Sequence, residues 1–111
     1  MGQQQPLLQL FPPVPKNADL SVTAPVVLRP AGGGTLYTII VQNPGSSGSL
    51  IVNDCATLAA AAASNTILSL TTAQLTSLMT KLFPLSFNWP CLNGITVSAV
   101  PTGGIFAVGY N

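Results

Sequence analysis

The side chains that most often perform catalysis are scarce in this chain. Its 111 residues include no histidine, and Asp19 and Asp54 are its only carboxylates. Without imidazole, the Ser-His and Cys-His nucleophile pairs and histidine metal sites are excluded. An acid-base pair of carboxylates would need both aspartates, yet Asp19 adjoins a proline-rich segment and Asp54 ends a predicted strand, where Asp serves turns and caps. The sequence therefore predicts no catalytic residue and no enzyme.

Binding motifs for cofactors and metals are also missing. The glycines at 32–34 are followed by no lysine and match neither the phosphate-binding loop nor the dinucleotide fingerprint, so they indicate a turn. Cys55 and Cys91 belong to no CxxC pair, which makes a zinc site improbable. Three interpretations of these cysteines stay open: two buried thiols, an intrachain disulfide formed late or outside the cell, or cross-links to neighbouring subunits.

Trp89 is the single tryptophan of the chain and lies in the sequence FNWPC. A lone Trp two residues after Phe87 is most often a core anchor, and this is the interpretation the sequence favours. The alternative is a platform on which a sugar ring stacks, as in carbohydrate-binding sandwiches. An aromatic content of 6% is low for a sugar-binding groove.

The scarcity of charge is the most informative property of the composition. Charged residues make up 5% of the chain, against about a quarter in an average protein, while 48% of the residues are hydrophobic. With a net charge of +1, a free monomer has little electrostatic protection against association. Because charged residues are depleted from the cores of protein interfaces, this composition indicates permanent assembly with copies of itself or with a partner.

The same composition argues against two other kinds of partner. Lys16, Arg29 and Lys81 are isolated from one another, so no basic cluster exists to bind the phosphates of nucleic acid. The longest apolar tract, CATLAAAAA, is much shorter than the roughly 20 residues of a membrane-spanning helix. The start of the chain lacks the features of a secretion signal, so we expect a soluble protein made in the cytoplasm.

Residues 1–19 differ in composition from the rest of the chain. Four prolines fall within PLLQLFPPVP, and proline fixes φ and favours extended backbone. Leu7, Leu8, Leu10 and Phe11 make the segment too apolar for a free tail. We expect an extended N-terminal arm that packs over its own domain or reaches over a neighbouring subunit.

From residue 20 onward, short β-rich runs alternate with turn signals. The run TLYTIIVQN is the clearest strand, and the pattern predicts that PGSSG joins it to SLIVND in a hairpin. A second hairpin is predicted for ITVSAV and IFAVGY across PTGG. In the first run, Tyr37, Ile39 and Val41 would face one way and Leu36, Thr38 and Ile40 the other, so the strand should be central with apolar surroundings on both sides.

One short helix interrupts the β pattern. In TTAQLTSLMTKLF, either Thr71 or Thr72 is suited to cap a helix whose apolar positions are Leu75, Leu78, Met79 and Leu82. The alanines at 59–63 are instead expected to form a loop or a small-residue strand. With six to eight strands in all, residues 20–111 are predicted to be one mainly β domain, a small antiparallel β-sandwich or jelly roll.

These features together resemble the small β-sandwich virion proteins of tailed bacteriophages, especially those of the capsid cement or decoration type. The resemblance rests on the charge-poor composition, the extended start PLLQLFPPVP, the segment LYTIIVQNPGSSGSLIVND and the ending WPCLNGITVSAVPTGGIFAVGY. It covers most of residues 20–111 in style, because such families share shape more than sequence signatures. The helix is a departure from the simplest all-β members.

The resemblance implies a structural role with no enzymatic activity. The expected partner is the major capsid protein or another repeated virion protein, and such sandwiches commonly form homo-oligomers, often trimers. The expected location is the virion, after synthesis in the host cytoplasm. Two alternatives remain: a different particle component, such as a tail or head-fibre part, and a carbohydrate-binding or adhesive module that uses Trp89.

Overall fold

The computed structural model describes residues 20–80 and 85–111. Within these ranges the chain forms eight strands, one α-helix and a short 3-10 turn at Ala63–Asn65. The elements are β1 (Leu20–Val22), β2 (Val26–Arg29), β3 (Gly34–Asn43), β4 (Ser49–Asn53), β5 (Thr66–Thr71), α1 (Thr72–Thr80), β6 (Leu85–Cys91), β7 (Ile95–Ala99) and β8 (Ile105–Tyr110).

The strands form two antiparallel sheets of four strands each, with the orders β1-β8-β3-β6 and β2-β7-β4-β5. β1 pairs with β8, β2 with β7, β3 with β6, and β4 with β5. In addition, β3 pairs with β8 and β4 pairs with β7. The first strand thus pairs with the last, the second with the seventh, and so on to the central pair, and the pairs alternate between the two sheets. This is the topology of a jelly roll. The predicted fold class is confirmed.

The core lies between the two sheets and is built from alternate residues of the inner strands. Side chains that are at most 1% exposed include Leu36 and Ile39 of β3, Leu50 and Val52 of β4, Ile95 and Val97 of β7, and Phe106 and Val108 of β8. Such alternation is what two stacked sheets with one solvent face each require. Leu75 of α1 is also fully buried and joins the same cluster.

Both hairpins predicted from the sequence are wrong. β3 and β4 lie in different sheets, and so do β7 and β8, so each connection arches from one layer to the other. The two arches bind each other: Ser46 N–H donates to the Thr102 carbonyl and Thr102 N–H to the Ser47 carbonyl, both at 2.9 Å. Loop length fits a hairpin or an arch equally well, and pairing with distant strands decides between them.

The predicted position of β3 inside its sheet is confirmed, but the predicted facing of its side chains is wrong. Leu36 pairs with Tyr110 and Thr38 with Gly109, so β3 has one extra residue between two consecutive residues of β8. This β-bulge shifts the alternation, so Leu36 points inward with Ile39. On the other face Ile40 is 47% exposed, so only one side of the strand is buried in the core.

The helix α1 follows β5 directly and begins as predicted. Thr71 Oγ1 accepts a hydrogen bond from the Gln74 N–H at 3.3 Å, and Gln74 Oε1 accepts one from the Thr71 N–H at 2.9 Å. This reciprocal pair is a capping box. Leu75 is buried, while Leu78 and Met79 pack partly buried against the core. The remaining predicted position, Leu82, lies outside the described residues.

The alanine-rich segment is a loop, and Ala59, Ala60, Ala62 and Ala63 are exposed in it. The predicted N-terminal arm, with Leu7, Leu8, Leu10 and Phe11, lies outside the described residues.

Candidate functional site

The β2–β3, β4–β5 and β6–β7 connections lie close together at one end of the sandwich. Asp54, at the start of the β4–β5 connection, binds the β6–β7 turn. Asp54 Oδ1 accepts hydrogen bonds from the backbone N–H groups of Asn93 at 2.7 Å and Gly94 at 3.3 Å. Its Oδ2 accepts the Leu92 N–H at 3.1 Å. Backbone donors aimed at a carboxylate form charge-assisted hydrogen bonds. Asp54 therefore fixes the β6–β7 turn, the structural role that the sequence predicted.

Asn53, the last residue of β4, anchors the long connection to β5 from inside. Its side chain is 1% exposed. The amide nitrogen is shared among Asn65 Oδ1 at 2.9 Å, the Ala62 carbonyl at 3.1 Å and Thr66 Oγ1 at 3.2 Å. The amide oxygen accepts a hydrogen bond from the Ser98 hydroxyl on β7. Because both the nitrogen and the oxygen of this buried amide have hydrogen-bond partners, the β4–β5 loop is held in a defined shape.

Gly94 is a position where three backbone segments approach closely. Its φ is +151°, and a Cβ there would lie 2.5 Å from the Cys55 carbonyl oxygen and 2.6 Å from that of Arg29. The neighbouring Thr96, which is fully buried, donates its hydroxyl to the Cys55 carbonyl at 2.8 Å. Only glycine fits this position, and its presence lets the ends of β2, β4 and β6 close together.

These connections leave a pocket of about 250 Å³ at the same end. One wall is Trp89, whose side chain is 48% exposed on the edge strand β6. The remaining lining comes from the β4–β5 loop, the start of β5 and the β6–β7 turn: Asp54, Ser64, Asn65, Thr66, Ile67 and Asn93. Of the described residues that line the pocket, all except Trp89 and Ile67 have polar side chains.

The polar groups of this pocket fall into two sets. Asn65 belongs to the framework, because its Oδ1 accepts from the Asn53 amide and the Ala62 N–H while its Nδ2 donates to the Ala60 carbonyl. The Asn93 amide and the Ser64 hydroxyl, in contrast, have no side-chain hydrogen bond to any part of the chain that the structure describes. Asp54 Oδ2 accepts a single bond, so it keeps acceptor capacity.

The expectation that Trp89 is a core anchor is wrong. Nearly half of its surface is exposed, and the core position beside it is occupied by Leu36, its pairing partner on β3. The polar residues that surround Trp89 were not singled out from the sequence. Asn93 was visible only as part of an Asn-Gly turn, and Ser64 and Asn65 carried no signal, since nothing local shows that they meet Trp89.

Both cysteines are free thiols in the structure and both are buried. Cys55 contacts the Thr57 carbonyl, and Cys91 the Trp89 carbonyl, each within its own segment. Burial, and to a smaller extent the charge of Asp54, raises the pKa of the Cys91 thiol from its ordinary 9.0 to about 11, although a backbone hydrogen bond with Leu36 opposes this. The thiol is therefore protonated at neutral pH and is a poor nucleophile.

The described ranges contain only two charged side chains, Arg29 and Asp54. Arg29 is half-buried, and its guanidinium donates to the Gly32 carbonyl from Nε at 3.3 Å and from Nη2 at 3.1 Å. Asp54 is half-buried and held by the backbone of the β6–β7 turn. Large hydrophobic side chains are exposed instead: Val26, Ile40, Leu58, Trp89 and Leu92, the last at 80%.

A second hollow, of about 520 Å³, lies between the β4–β5 loop and the strands β4 and β7. Its lining is mostly small and apolar and includes Ile51, Leu58, Ala99 and the alanines at 61–63. This surface extends the uncharged exterior of the molecule.

Within residues 20–80 and 85–111, no cluster of three or more His, Cys, Asp or Glu side chains is arranged to hold a metal ion. No helix in these ranges is long and apolar enough to span a membrane.

Comparison with known proteins adds no relative. No protein-family model matches the chain, and neither the curated proteins nor the solved structures contain a significant match.

Proposed function

We propose that this chain is a non-enzymatic structural protein of a virus particle, and that it binds a repeated protein shell as a capsid cement or decoration protein. Its partner in this proposal is the major capsid protein or another repeated virion protein. Contact is made by uncharged protein surface. A tail or head-fibre position uses the same kind of contact and is distinguished by the experiment below.

The observation that carries this proposal is the exterior of the described jelly roll. Its two charged side chains are both engaged with backbone groups, while five large hydrophobic side chains are exposed. Docking such a surface on another protein desolvates no free charge, so the usual penalty of burying ions is avoided. The same surface in water gains little from hydration, so assembly is its favourable state.

The fold is compatible with this role. Eight-stranded jelly rolls recur in viral capsid domains as well as in lectins. A fold by itself assigns no function, whereas the properties of the surface bear on what the protein binds.

The absence of a reactive constellation supports a non-enzymatic role. Asp54 is committed to the β6–β7 turn, and burial raises the pKa of the Cys91 thiol and keeps it protonated. Asp54 is near enough for its charge to contribute to that raised pKa, and a thiol that stays protonated is a poor nucleophile.

The N-terminal arm supplies the second part of the proposal. Its four prolines favour an extended shape before docking, which reduces the entropy lost on binding. Leu7, Leu8, Leu10 and Phe11 provide the apolar contact. We expect the arm to lie across a neighbouring subunit, and many copies on one lattice then strengthen attachment by multivalency.

The test is binding of the recombinant protein to purified particles of the virus that encodes it. A first variant replaces Leu7, Leu8, Leu10 and Phe11 by Ser and keeps every proline. We expect it to stay folded, with an unchanged urea midpoint, and to lose at least tenfold in particle binding in a co-sedimentation assay. A matched control replaces Gln3, Gln4 and Gln5 by Ser and should bind like the native chain.

Electron cryomicroscopy of the decorated particles then locates the protein on the shell or on the tail. Sedimentation of the isolated protein reports whether it forms the expected trimer. The proposal is overturned if the protein is a highly soluble monomer that binds neither particles nor copies of itself.

A further inference from the structure

The polar pocket beside the exposed indole of Trp89 is a feature that the proposed structural role does not require. We propose that this pocket is a binding site for a neutral saccharide, with the ring of one sugar unit stacked on Trp89. The proposal concerns the isolated chain, so it does not depend on attachment to a shell.

The chemistry of the lining is what selects a sugar. A pyranose ring has an apolar face of C–H groups that packs on an aromatic ring, and a rim of hydroxyls that need hydrogen-bond partners. Trp89 supplies the aromatic surface, and Asn93, Ser64 and Asp54 supply amide, hydroxyl and carboxylate groups within the same hollow. A purely apolar ligand would leave these groups without partners, which is costly.

The charges of the lining argue for a neutral sugar. Among the residues that the structure describes, no Lys or Arg lines the pocket, and the one charged side chain there is that of the acidic Asp54. A sulfated, phosphorylated or sialylated glycan would place its anion near this carboxylate without a compensating cation. Asp54 itself suits neutral hydroxyls, because Oδ2 keeps acceptor capacity after binding the Leu92 N–H.

The size of the pocket limits the ligand to a short segment. Its volume of about 250 Å³ is below the roughly 300–1,000 Å³ typical of sites for drug-sized molecules. One or two sugar units fit this scale, and the rest of a longer glycan would extend into solvent past the edge strand β6.

The pocket is also held in shape before any ligand arrives. Asn65 is fixed by the buried amide of Asn53, and the β6–β7 turn that carries Asn93 is fixed by three hydrogen bonds to Asp54. A preformed site loses less entropy on binding. The Asn93 amide and the Ser64 hydroxyl, which make no side-chain hydrogen bond in the described part of the chain, are available to a ligand.

A protein contact is the competing explanation for an exposed Trp. Interface anchors enter apolar surroundings from which water is excluded, with a desolvated core around them. Here most of the described residues that line the pocket beside Trp89 are polar, and its exposed apolar neighbour Leu92 does not line it. The observations therefore favour a small hydroxylated ligand over a protein surface.

Tryptophan fluorescence reports on this site directly, because Trp89 is the only tryptophan of the chain. We would titrate the protein with the methyl glycosides of glucose, galactose, mannose and N-acetylglucosamine, together with galactose 6-sulfate, and follow the tryptophan emission. We expect a saturable change with at least one neutral glycoside and none with the sulfate. Asn93→Ala should weaken that binding at least fivefold.

A glycan array probed with streptavidin-linked tetramers of the protein extends the test to longer chains. Trp89→Ala should lose at least tenfold in signal, whereas the matched control Leu92→Ala should keep it. The proposal is overturned if no neutral glycan binds in either assay, if acidic glycans bind better than neutral ones, or if Trp89→Ala binds like the native chain. Loss of particle binding by Trp89→Ala without any glycan binding would assign the indole to a protein contact.

Discussion

The carboxylate of Asp54 accepts the backbone N–H of Asn93 at 2.7 Å, a contact between residues 39 positions apart. Asn93 thus contributes its backbone to the framework of the pocket and leaves its side chain to the surface.

Asp54→Asn replaces one acceptor oxygen by an amide that faces backbone donors. We expect a loss of about 1–3 kcal/mol in the free energy of unfolding, because at least one N–H of the β6–β7 turn loses its partner. Urea denaturation followed by tryptophan emission measures this loss. Asn93→Ala keeps the backbone donor and should change stability by less than about 0.5 kcal/mol. Equal effects of the two substitutions would contradict this division of roles.

Asn53→Asp tests the buried amide that shapes the β4–β5 loop. The new carboxylate would face Asn65 Oδ1 and the Ala62 carbonyl, which are both acceptors, in a site that is 1% exposed. We expect a loss of about 2–4 kcal/mol at pH 7. Burial raises the pKa of this aspartate above its unfolded value of about 3.9, so the folded state holds its proton longer. The loss should therefore shrink as the pH falls toward 4.

The pH dependence of Asn53→Asp is read against the native chain in the same urea series. Ser98→Ala removes the other partner of the Asn53 amide without adding a charge, so its effect should be smaller and flat between pH 4 and 7. A constant deficit for Asn53→Asp over this range would show that the amide is not enclosed as described.

Gly94→Ala and Gly103→Ala separate backbone strain from collision. Both glycines have positive φ, +151° and +77°, but a Cβ at Gly94 meets the carbonyls of Cys55 and Arg29, whereas nothing lies within 4 Å of one at Gly103. We expect Gly103→Ala to cost about 1–2 kcal/mol. Gly94→Ala should cost more than about 4 kcal/mol or prevent folding, because three backbones must separate. Circular dichroism and urea midpoints compare them, and similar costs would refute the close approach.

The thiol of Cys91 predicts a loss of stability in alkaline solution. Its pKa is about 11 in the folded chain, against an ordinary 9.0, so between these values the folded state retains a proton that the unfolded chain has released. The free energy of unfolding should therefore fall as the pH rises from 9 to 11. Cys91→Ala removes the titrating group and should show a shallower fall. If both chains lose stability in parallel over this range, the thiol does not contribute.

The jelly-roll class was predictable because its signals are local. β-branched runs separated by turn residues gave the number of strands, and Thr71 with Gln74 gave the start of the helix. The role of Asp54 in a turn also followed from its residue type. The partners of the strands did not follow, since PGSSG and PTGG fit a hairpin as well as an arch between layers.

The candidate site illustrates the same division. Trp89 was noticed for its chemistry, but its exposure depends on β6 being an edge strand, with Leu36 filling the core position opposite. The pocket needs residues of the β4–β5 loop and of the β6–β7 turn, which are distant in the chain. No periodicity or motif links Asn65 to Trp89.

Composition and local pattern determined that this chain folds as a β domain, that it contains no histidine, and that charged residues are scarce in it. Those properties belong to individual residues and to neighbours along the chain, so they can be read without coordinates. Only the tertiary structure decided which strands pair, which side chains the bulge at Tyr37 turns inward, and that Trp89 meets a polar pocket. These depend on contacts between residues far apart in sequence, whose free energy of burial exists only once the two sheets have closed on each other.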